Sequence, residues 1–383
     1  MQYRKFGKLD WKPSALGFGA MRLPVIDRDS AQIDEAEATR MVRYAIDHGV
    51  NYVDTAYGYH RGNSERFLGR ALQDGYRERV KLATKMPCWL VEKTEDFDRF
   101  LDEQLEKLQT DHIDFYLLHG LRAERWHKMR DLGVVNWAAG ARADGRIHHL
   151  GFSFHDTLEA FKEIVDGNAG WTFCQIQYNY MDEEHQAGTQ GLEYAADNGL
   201  AVVIMEPIRG GRLSADPPPE SIVQLWDTAP RKRTPAEWAL QWVWNHPEVS
   251  VVLSGMSTME HVVQNVASAG RSGPGTLTPQ ELELIARVRD TYRELAPIDC
   301  TACEYCLPCP NGVNIPRVFA IFNEAIMYNE LRSARNAYKW LEEEARADVC
   351  EQCGQCLELC PQGIPITEWL EKAHDLLSEA VAT

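Results

Sequence analysis

Residues 80–119, VKLATKMPCWLVEKTEDFDRFLDEQLEKLQTDHIDFYLLH, show the alternation of apolar runs and helical periodicity from which the fold class is predicted. The stretch begins with the apolar run VKLATKM and ends with IDFYLLH, and such continuous runs are typical of parallel strands that are covered on both faces. The segment between the runs has helical periodicity, with Thr94 placed to cap the helix N-terminus. Its apolar face consists of Phe97, Leu101, Leu105 and Leu108. The stretch therefore predicts a strand–helix–strand unit with two parallel strands.

The same alternation extends over residues 15–270, where eight short apolar runs are separated by helical patterns. The runs are ALGFGAM, NYVDTA, VKLATKM, IDFYLLH, HHLGFSF, FCQIQYN, AVVIMEP and VSVVLSG. Eight strand–helix units predict an α/β fold, a closed (β/α)8 TIM barrel. The alternative is an open doubly wound sheet, which usually carries G-x-G-x-x-G after its first strand, whereas GFGAMRLP lacks the third glycine. The N-terminal MQYRKFGKLDWKPSALG, with Gly7 at a turn, predicts a hairpin that closes the barrel floor.

Eight of the ten cysteines lie in two closely spaced runs, each followed by proline. The runs are Cys300, Cys303, Cys306 and Cys309, and then Cys350, Cys353, Cys356 and Cys360. This spacing is typical of thiolates that hold two [4Fe–4S] clusters, with the last cysteine of each run ligating the other cluster. One cluster is then predicted on Cys300, Cys303, Cys306 and Cys360, and the other on Cys350, Cys353, Cys356 and Cys309.

Two other interpretations of the cysteines agree less well with their spacing. Structural zinc sites normally take two separated C-x-x-C pairs, whereas each run here is an unbroken row. Disulfides are disfavoured because the N-terminal MQYRKFGKLDW lacks the apolar core of a signal peptide, and a cytoplasmic protein is predicted. The first run closes with two intervening residues where three are usual, which leaves the crossed sharing of ligands open.

A domain boundary is predicted near Ala296, between a barrel domain, residues 1–296, and a mainly helical ferredoxin-like domain, residues 297–383. The net charge of −17 argues against nucleic acid as a partner, because phosphates need a basic surface. No apolar run is long enough to predict a membrane span. After Pro297 there are six Lys/Arg and fourteen Asp/Glu, so a redox partner that docks there is expected to present a basic face.

Polar residues end three consecutive predicted strands. Asp54 and Tyr59 follow the second strand, Lys85 ends the third and His119 ends the fourth. The C-terminal strand ends of a barrel face its active site, so these side chains are expected to lie together. An ammonium beside a tyrosine lowers the pKa of the phenol, and a carboxylate would hold the lysine in place. A histidine can orient a carbonyl oxygen, and the set therefore predicts reduction of a carbonyl or oxidation of an alcohol.

Through DTAYGYHRGNSE, ATK and YLLH, residues 1–270 resemble the aldo-keto reductase superfamily, whose tetrad falls on Asp54, Tyr59, Lys85 and His119. With its cysteine-rich segment, the chain is similar to the bacterial and archaeal branch that carries [4Fe–4S] domains. The resemblance implies a nicotinamide cofactor, NADH or NADPH, across the barrel mouth. The implied contacts are Ser153 and Gln175 with the carboxamide, Met205 with the nicotinamide ring, Gly210 and Gly211 with the pyrophosphate, and Asn265 with the adenine end.

Three positions depart from the family pattern. Phe154 replaces an asparagine, and Gly255 and His261 replace basic residues that often hold a 2′-phosphate. The choice between NAD and NADP is therefore open, and a flavin, which converts hydride transfer into single-electron transfer, stays a candidate cofactor. Candidate residues for lining the substrate pocket are Trp89, Trp126 and Arg122.

Three functions are open on these grounds. The first is an oxidoreductase that reduces a carbonyl or related unsaturated compound at the Tyr59 site, or oxidises the alcohol, while the clusters pass electrons to or from a ferredoxin-like or other redox partner. The second is a nicotinamide-dependent reductase whose clusters are structural or dock a partner. The third is a redox sensor or electron carrier without catalytic activity.

Overall fold

The computed structural model describes residues 1–215 and 217–379. The chain forms two compact units, of which the first comprises residues 1–209 and 237–278. The second comprises residues 210–236 and the chain from Pro279 onward. Residues 279–296, which the sequence assigns to the barrel domain, thus belong to the second unit. The domain boundary at Ala296 stays a prediction.

Within the described residues, eight parallel strands close a barrel in sequence order, with β1 hydrogen-bonded to both β2 and β8. The strands are β1 (Leu16–Gly19), β2 (Tyr52–Asp54), β3 (Lys81–Met86), β4 (Ile113–Leu121), β5 (Ile147–Phe154), β6 (Phe173–Gln177), β7 (Ala201–Met205) and β8 (Val249–Ser254). Nearly every residue of these strands is buried, because side chains fill the barrel on one face and helices cover the other. The predicted (β/α)8 barrel is confirmed, and the open sheet is excluded.

Helices follow the strands, as the alternating pattern predicts. They are α1 (Glu35–Asp47), α2 (Asn63–Ala71), α3 (Glu95–Leu108), α4 (Ala123–Asp131), α5 (Val134–Ala143), α6 (Leu158–Asp166), α7 (Gly188–Asp197), α8 (Glu220–Asp227), α9 (Pro235–Trp244), α10 (Met259–Ala269), α11 (Pro279–Glu294), α12 (Ile315–Met327), α13 (Leu331–Lys339), α14 (Gln355–Leu359) and α15 (Ile366–Ser378). Among the residues described, no helix is both long enough and apolar enough to cross a bilayer.

The start of α3 differs from the prediction in one detail. Thr94 precedes the helix, but its hydroxyl donates to the backbone oxygen of Leu132 at 2.9 Å and does not cap α3. The Asp96 carboxylate instead accepts hydrogen bonds from the backbone N–H groups of Glu92 and Lys93. The apolar face is as predicted, since Phe97, Leu101 and Leu108 are buried.

The N-terminal hairpin closes the barrel at the N-terminal ends of the strands. Phe6 is fully buried in the barrel core, with its ring centroid 4.8 Å from that of Phe115 and 5.8 Å from that of Phe173. Gly7 has a φ of +52°, and a Cβ at this position would lie 2.7 Å from the backbone nitrogen of Ala201. Only glycine combines this conformation with so close an approach. The structure confirms the predicted plug.

The second unit is mainly helical. Its core is formed by α12 packed against α13 and α15, with Phe319, Ile321 and Leu370 almost fully buried. The terminal helix α15 is amphipathic, and it packs on α12 and α13, the helices that lie between the two cysteine runs. In the same unit, the buried carboxylate of Glu281 on α11 accepts from Arg233 Nη1 at 2.8 Å. This ion pair joins α11 to the segment 210–236.

Candidate active site and cysteine sites

A buried ion pair connects the ends of β2 and β3. Lys85 Nζ lies 2.5 Å from Asp54 Oδ1 and donates a second hydrogen bond to the backbone oxygen of Thr55 at 2.7 Å. The two charged side chains are almost completely buried, with 1% and 3% of their area exposed. Asp54 pairs in register with Ala83, two residues before Lys85, so the adjacent parallel strands bring both side chains to the same barrel end.

Tyr59 and His119 lie beside this pair. Tyr59 opens the short 3₁₀ turn Tyr59–Gly62 after β2, and Lys85 Nζ is 5.0 Å from the centroid of its ring. The rings of Tyr59 and His119 are nearly perpendicular, with centroids 6.1 Å apart. His119 Nδ1 is buried and has no hydrogen-bond partner within the described part of the chain. The structure thus brings Asp54, Tyr59, Lys85 and His119 together at the C-terminal strand ends.

Burial dominates the protonation of this group. It raises the pKa of Tyr59, and the Lys85 ammonium offsets the shift only in part, so the expectation of a lowered tyrosine pKa is wrong in net direction. Burial is the largest single effect on Lys85 and works against its charged form, but Asp54 and Tyr59 together outweigh burial and raise the pKa of Lys85. Burial and, secondly, Lys85 hold the pKa of His119 well below its ordinary value. The site therefore combines a protonated phenol, an ammonium and a neutral imidazole near neutral pH.

Behind Lys85 lies a buried hydrogen-bond network that sequence reasoning missed. Glu65 Oε1 accepts hydrogen bonds from Thr84 Oγ1 at 2.6 Å and from Gln104 Nε2 at 2.5 Å. Gln104 Nε2 also donates to the backbone oxygen of Lys85 at 3.0 Å, and Gln104 Oε1 accepts from the Tyr116 hydroxyl at 2.7 Å. Glu65 is fully buried, and burial raises the pKa of its carboxyl. The network fixes the strand that carries the lysine.

A signal for this network was present in the sequence. Glu65 precedes Leu68 by three residues and therefore lies on the buried face of α2. Gln104 lies between Leu101 and Leu108 at helical spacing and interrupts the apolar face of α3. A polar residue inside an apolar helix face is expected to find a buried partner.

Ser153 and Gln175 are neighbours in register on β5 and β6. Gln175 Oε1 is buried without a hydrogen-bond partner among the residues described, while its Nε2 lies 3.7 Å from the sulfur of Met205. Ser153 Oγ accepts from the backbone N–H of Gly120 at 2.8 Å, which leaves its hydroxyl hydrogen to be donated. A primary carboxamide has both a donor and an acceptor, so these side chains fit the amide end of a nicotinamide.

Other predicted cofactor positions have more varied surroundings. Asn265 on α10 donates from Nδ2 to Ser254 Oγ at 3.0 Å, at the end of β8. Phe154 is 1% exposed, and its ring packs on Phe161 with centroids 5.1 Å apart. Phe154 is therefore a core residue, and it provides no polar group in place of the usual asparagine.

Gly210 and Gly211 lie in the turn Arg209–Ser214, where their φ values are +69° and +107°. Such values favour glycine, which has no Cβ to clash with the backbone. The structure places both glycines in the second unit, and their contact with a pyrophosphate stays a prediction.

The other candidate pocket residues differ in exposure. Trp89 is 45% exposed and its ring centroid lies 5.2 Å from that of His119, which places it at the site. Trp126 is fully buried and packs on Trp171, so it is a core residue and not an exposed pocket residue. Arg122 is exposed directly before α4.

Burial raises the pKa of Cys88 to about 12, which makes this thiol unreactive.

The eight cysteines of the second unit surround two adjacent hollows. Cys300, Cys303, Cys306 and Cys360 line the first hollow. Cys309, Cys350, Cys353 and Cys356 line the second, where Cys306 also reaches the wall. Each final cysteine, Cys309 or Cys360, therefore lies with three cysteines of the other run.

The surroundings of both hollows fit iron–sulfur clusters. Cys303 and Cys353 are exposed residues, and the other six cysteines are partly buried. Ile315 lines both hollows, and Phe319 and Ile364 line the first. Sets of four thiolates in a largely apolar wall are typical ligands of [4Fe–4S] clusters. The eight cysteines would hold these clusters and supply single-electron chemistry to the second unit.

Two family models match the chain. The aldo/keto reductase family matches residues 15–288, which include the barrel and all four residues of the buried group, Asp54, Tyr59, Lys85 and His119. The 4Fe-4S dicluster domain matches residues 299–364, which include both cysteine runs.

Known proteins resemble the barrel over most of its length. L-galactose dehydrogenase of Arabidopsis thaliana is 25% identical over 315 residues, covering 78% of this chain and 94% of that protein. The NADH-specific methylglyoxal reductase of Escherichia coli is 25% identical, covering 57% of this chain and 78% of its own length. The holo form of aldo-keto reductase AKR11C1 from Bacillus halodurans superposes with a TM-score of 0.63 at 28% identity, covering 75% of this chain and 96% of that chain. The chain therefore belongs to the aldo/keto reductase family, is an oxidoreductase, and carries a 4Fe-4S dicluster domain in its C-terminal part.

Proposed function

We propose that the barrel reduces a small carbonyl compound, with Tyr59 as proton donor, and that the second unit exchanges single electrons through two [4Fe–4S] clusters. The observation that carries the first part is the buried Lys85–Asp54 ion pair beside Tyr59 and His119. The arrangement of four cysteines around each of two hollows supports the second part. No described residue specifies a flavin, and the proposal does not include one.

Each residue of the buried group has a distinct part in the proposed reduction. The Tyr59 hydroxyl gives its proton to the carbonyl oxygen as the carbonyl carbon gains a hydride. The Lys85 ammonium stabilises the phenolate that forms, and Asp54 holds that ammonium in position. The neutral His119 imidazole orients the carbonyl oxygen through a hydrogen bond. Because the site is buried, these charges act with little screening by water.

A nicotinamide is the hydride source that the family generally uses, and this chain provides groups for its amide. Gln175 Oε1 would accept from the carboxamide nitrogen, and Ser153 would donate to the carboxamide oxygen. Met205 ends β7 beside Gln175, where its sulfur can pack against an aromatic ring. Phe154 contributes nothing to this contact, so the amide is expected to be held by two side chains and not three.

The Tyr59→Phe variant tests the carbonyl chemistry. We expect oxidation of NADH or NADPH by a reactive test aldehyde, followed anaerobically, to slow by about 100-fold or more, since the proton donor is lost. Tyr57→Phe is the matched control, because the Tyr57 hydroxyl contacts Glu103 and not the buried group. Fluorescence titration with the nicotinamide should give unchanged affinity in both variants. Full turnover by Tyr59→Phe would contradict the proposal.

The pH dependence of the same reaction provides a second test. The pKa of His119 lies well below 6.5, so the imidazole stays neutral and no loss of kcat/KM is expected as pH falls through that value. The pKa of Tyr59 is raised above 10.0, so its acidic form persists until the pH exceeds this value. We expect a flat profile for reduction between about pH 6 and 9. An inflection near pH 6.5 that disappears in His119→Ala would contradict the neutral imidazole.

A further inference from the structure

Exposed apolar side chains flank the cysteines of the second unit. Tyr305, between Cys303 and Cys306, is 65% exposed. Leu357 and Leu359, between Cys356 and Cys360, are 39% and 53% exposed. Large apolar side chains with this exposure lie at the centre of many protein interfaces.

The two segments that contain the cysteine runs carry acidic residues and no basic ones. Residues 298–316 and 347–371 contain no lysine, arginine or histidine. Their acidic residues are Asp299, Glu304, Asp348, Glu351, Glu358, Glu368 and Glu371. Bound clusters ligated by thiolates add further negative charge. The two segments, which supply most of the lining of both hollows, are therefore acidic and carry exposed apolar side chains.

We propose that this cluster surface, formed by Glu304, Tyr305, Glu351, Leu357, Glu358 and Leu359, docks a one-electron carrier protein with a basic rim around an apolar centre. The proposal rests on the part of the proposed function that places clusters in the two hollows. The sequence alone left a ferredoxin-like partner open. At this surface, an acidic ferredoxin would be repelled and a basic carrier protein attracted.

The geometry supports electron exchange at this surface. Cys303 and Cys353 are exposed residues, so the clusters that they would ligate lie where a docked protein can approach. Opposite charges steer a basic partner towards this surface and raise the association rate, whereas like charges disfavour an acidic partner. Tyr305 and Leu359 would supply the water-excluded contact that holds the two redox groups close. In the transfer step, a reduced cluster loses one electron, and the redox group of the docked carrier protein gains it.

The first test uses the unmodified protein with its clusters reduced by dithionite. Oxidation of the clusters by a basic c-type cytochrome is followed by stopped flow, with an acidic flavodoxin as the opposite probe. Between about 10 and 300 mM salt, we expect the second-order rate constant to fall by about tenfold or more for the cytochrome and to rise for the flavodoxin. A cytochrome rate that does not fall with salt overturns the proposal.

The second test determines whether the attraction for the cytochrome comes from the cluster surface. The triple variant Glu304→Lys, Glu351→Lys and Glu358→Lys should slow cytochrome reduction by about tenfold or more at low salt. The matched control changes three exposed glutamates on helices of the barrel by the same charge: Glu106→Lys, Glu159→Lys and Glu193→Lys. If both triple variants slowed cytochrome reduction equally, the attraction would come from the net charge of the protein, and the proposed docking surface would be overturned.

Two readouts separate this proposal from the proposed catalysis. Oxidation of the reduced clusters by menadione, which is uncharged, should proceed at the same rate in all variants and shows that the clusters are intact. If the triple Glu→Lys variant loses iron, the triple Glu304→Gln, Glu351→Gln and Glu358→Gln is used in its place. An unchanged rate of cytochrome reduction in this triple Glu→Gln variant overturns the proposal. Neither measurement requires turnover at Tyr59, so failure of the carbonyl chemistry would leave this result interpretable.

Discussion

The Lys85→Met variant is expected to lose both carbonyl reduction and stability. Methionine fills much of the volume of lysine but leaves the Asp54 carboxylate buried without its partner. Removing one member of a buried ion pair typically costs about 3–5 kcal/mol, because the remaining charge is uncompensated. Turnover should fall at least as much as in Tyr59→Phe, since the phenolate that forms on Tyr59 loses its neighbouring ammonium. Anaerobic denaturant titration and single-turnover oxidation of the nicotinamide measure the two effects.

A double variant separates the loss of stability, which comes from the unpaired charge, from the loss of turnover. Asp54→Asn combined with Lys85→Met removes both charges, and most of the lost stability should return because no unpaired charge stays buried. Turnover should not return, because the ammonium is still absent. Recovery of activity together with stability would show that Lys85 has only a structural role. Equal destabilisation of the single and double variants would contradict the uncompensated carboxylate as the cause.

Loss of iron from paired cysteine variants is expected to reveal which thiolates share a cluster. Cys303 and Cys360 line the first hollow, whereas Cys309 lines the second. Cys303→Ala with Cys360→Ala should therefore remove one cluster and leave about four of eight iron atoms per chain. Cys303→Ala with Cys309→Ala should remove both clusters and leave almost no iron.

The two double variants are matched controls for each other, because each removes two thiols and keeps six. If every run held its own cluster, the outcomes would be reversed. Cys303→Ala with Cys309→Ala would keep about four iron atoms per chain, and Cys303→Ala with Cys360→Ala would keep almost none. Iron and sulfide analysis of protein purified without oxygen measures the result. Far-ultraviolet circular dichroism should show that the barrel remains folded in both variants.

Much of the barrel could be predicted because its signals are local. Continuous apolar runs separated by amphipathic helices fix parallel strands with both faces covered, and the order of the strands then follows. Polar residues at the ends of β2, β3 and β4 converge in any such barrel, so Asp54, Lys85 and His119 could be brought together from sequence. Gly7 marked the hairpin that closes the barrel floor.

Other properties depend on surroundings that the sequence does not display. The net pKa shift of Tyr59 is set by the loss of solvation, which requires the complete packing of the site. The buried Glu65 carboxylate depends on partners from two other elements, β3 and α3, and its place on α2 alone does not identify them. Residues 210–236 belong to the second unit, where α8 packs against α11 and Arg233 pairs with Glu281. These long-range contacts are not visible in the segment itself, which reads as a Pro-rich loop and a short helix.

The interleaved chain path of the two units has a consequence for limited proteolysis. The backbone passes between them three times, at residues 209–210, 236–237 and 278–279, so the second unit is not a simple C-terminal appendage. Cleavage at any single one of these junctions cannot release it. After a cut at 278–279, the fragment from Pro279 onward is expected to stay bound, because α8 packs against α11 and ion pairs such as Arg212–Glu324 at 2.8 Å link it to residues 210–236. A nicked enzyme should therefore elute intact from a gel-filtration column and separate only in denaturant.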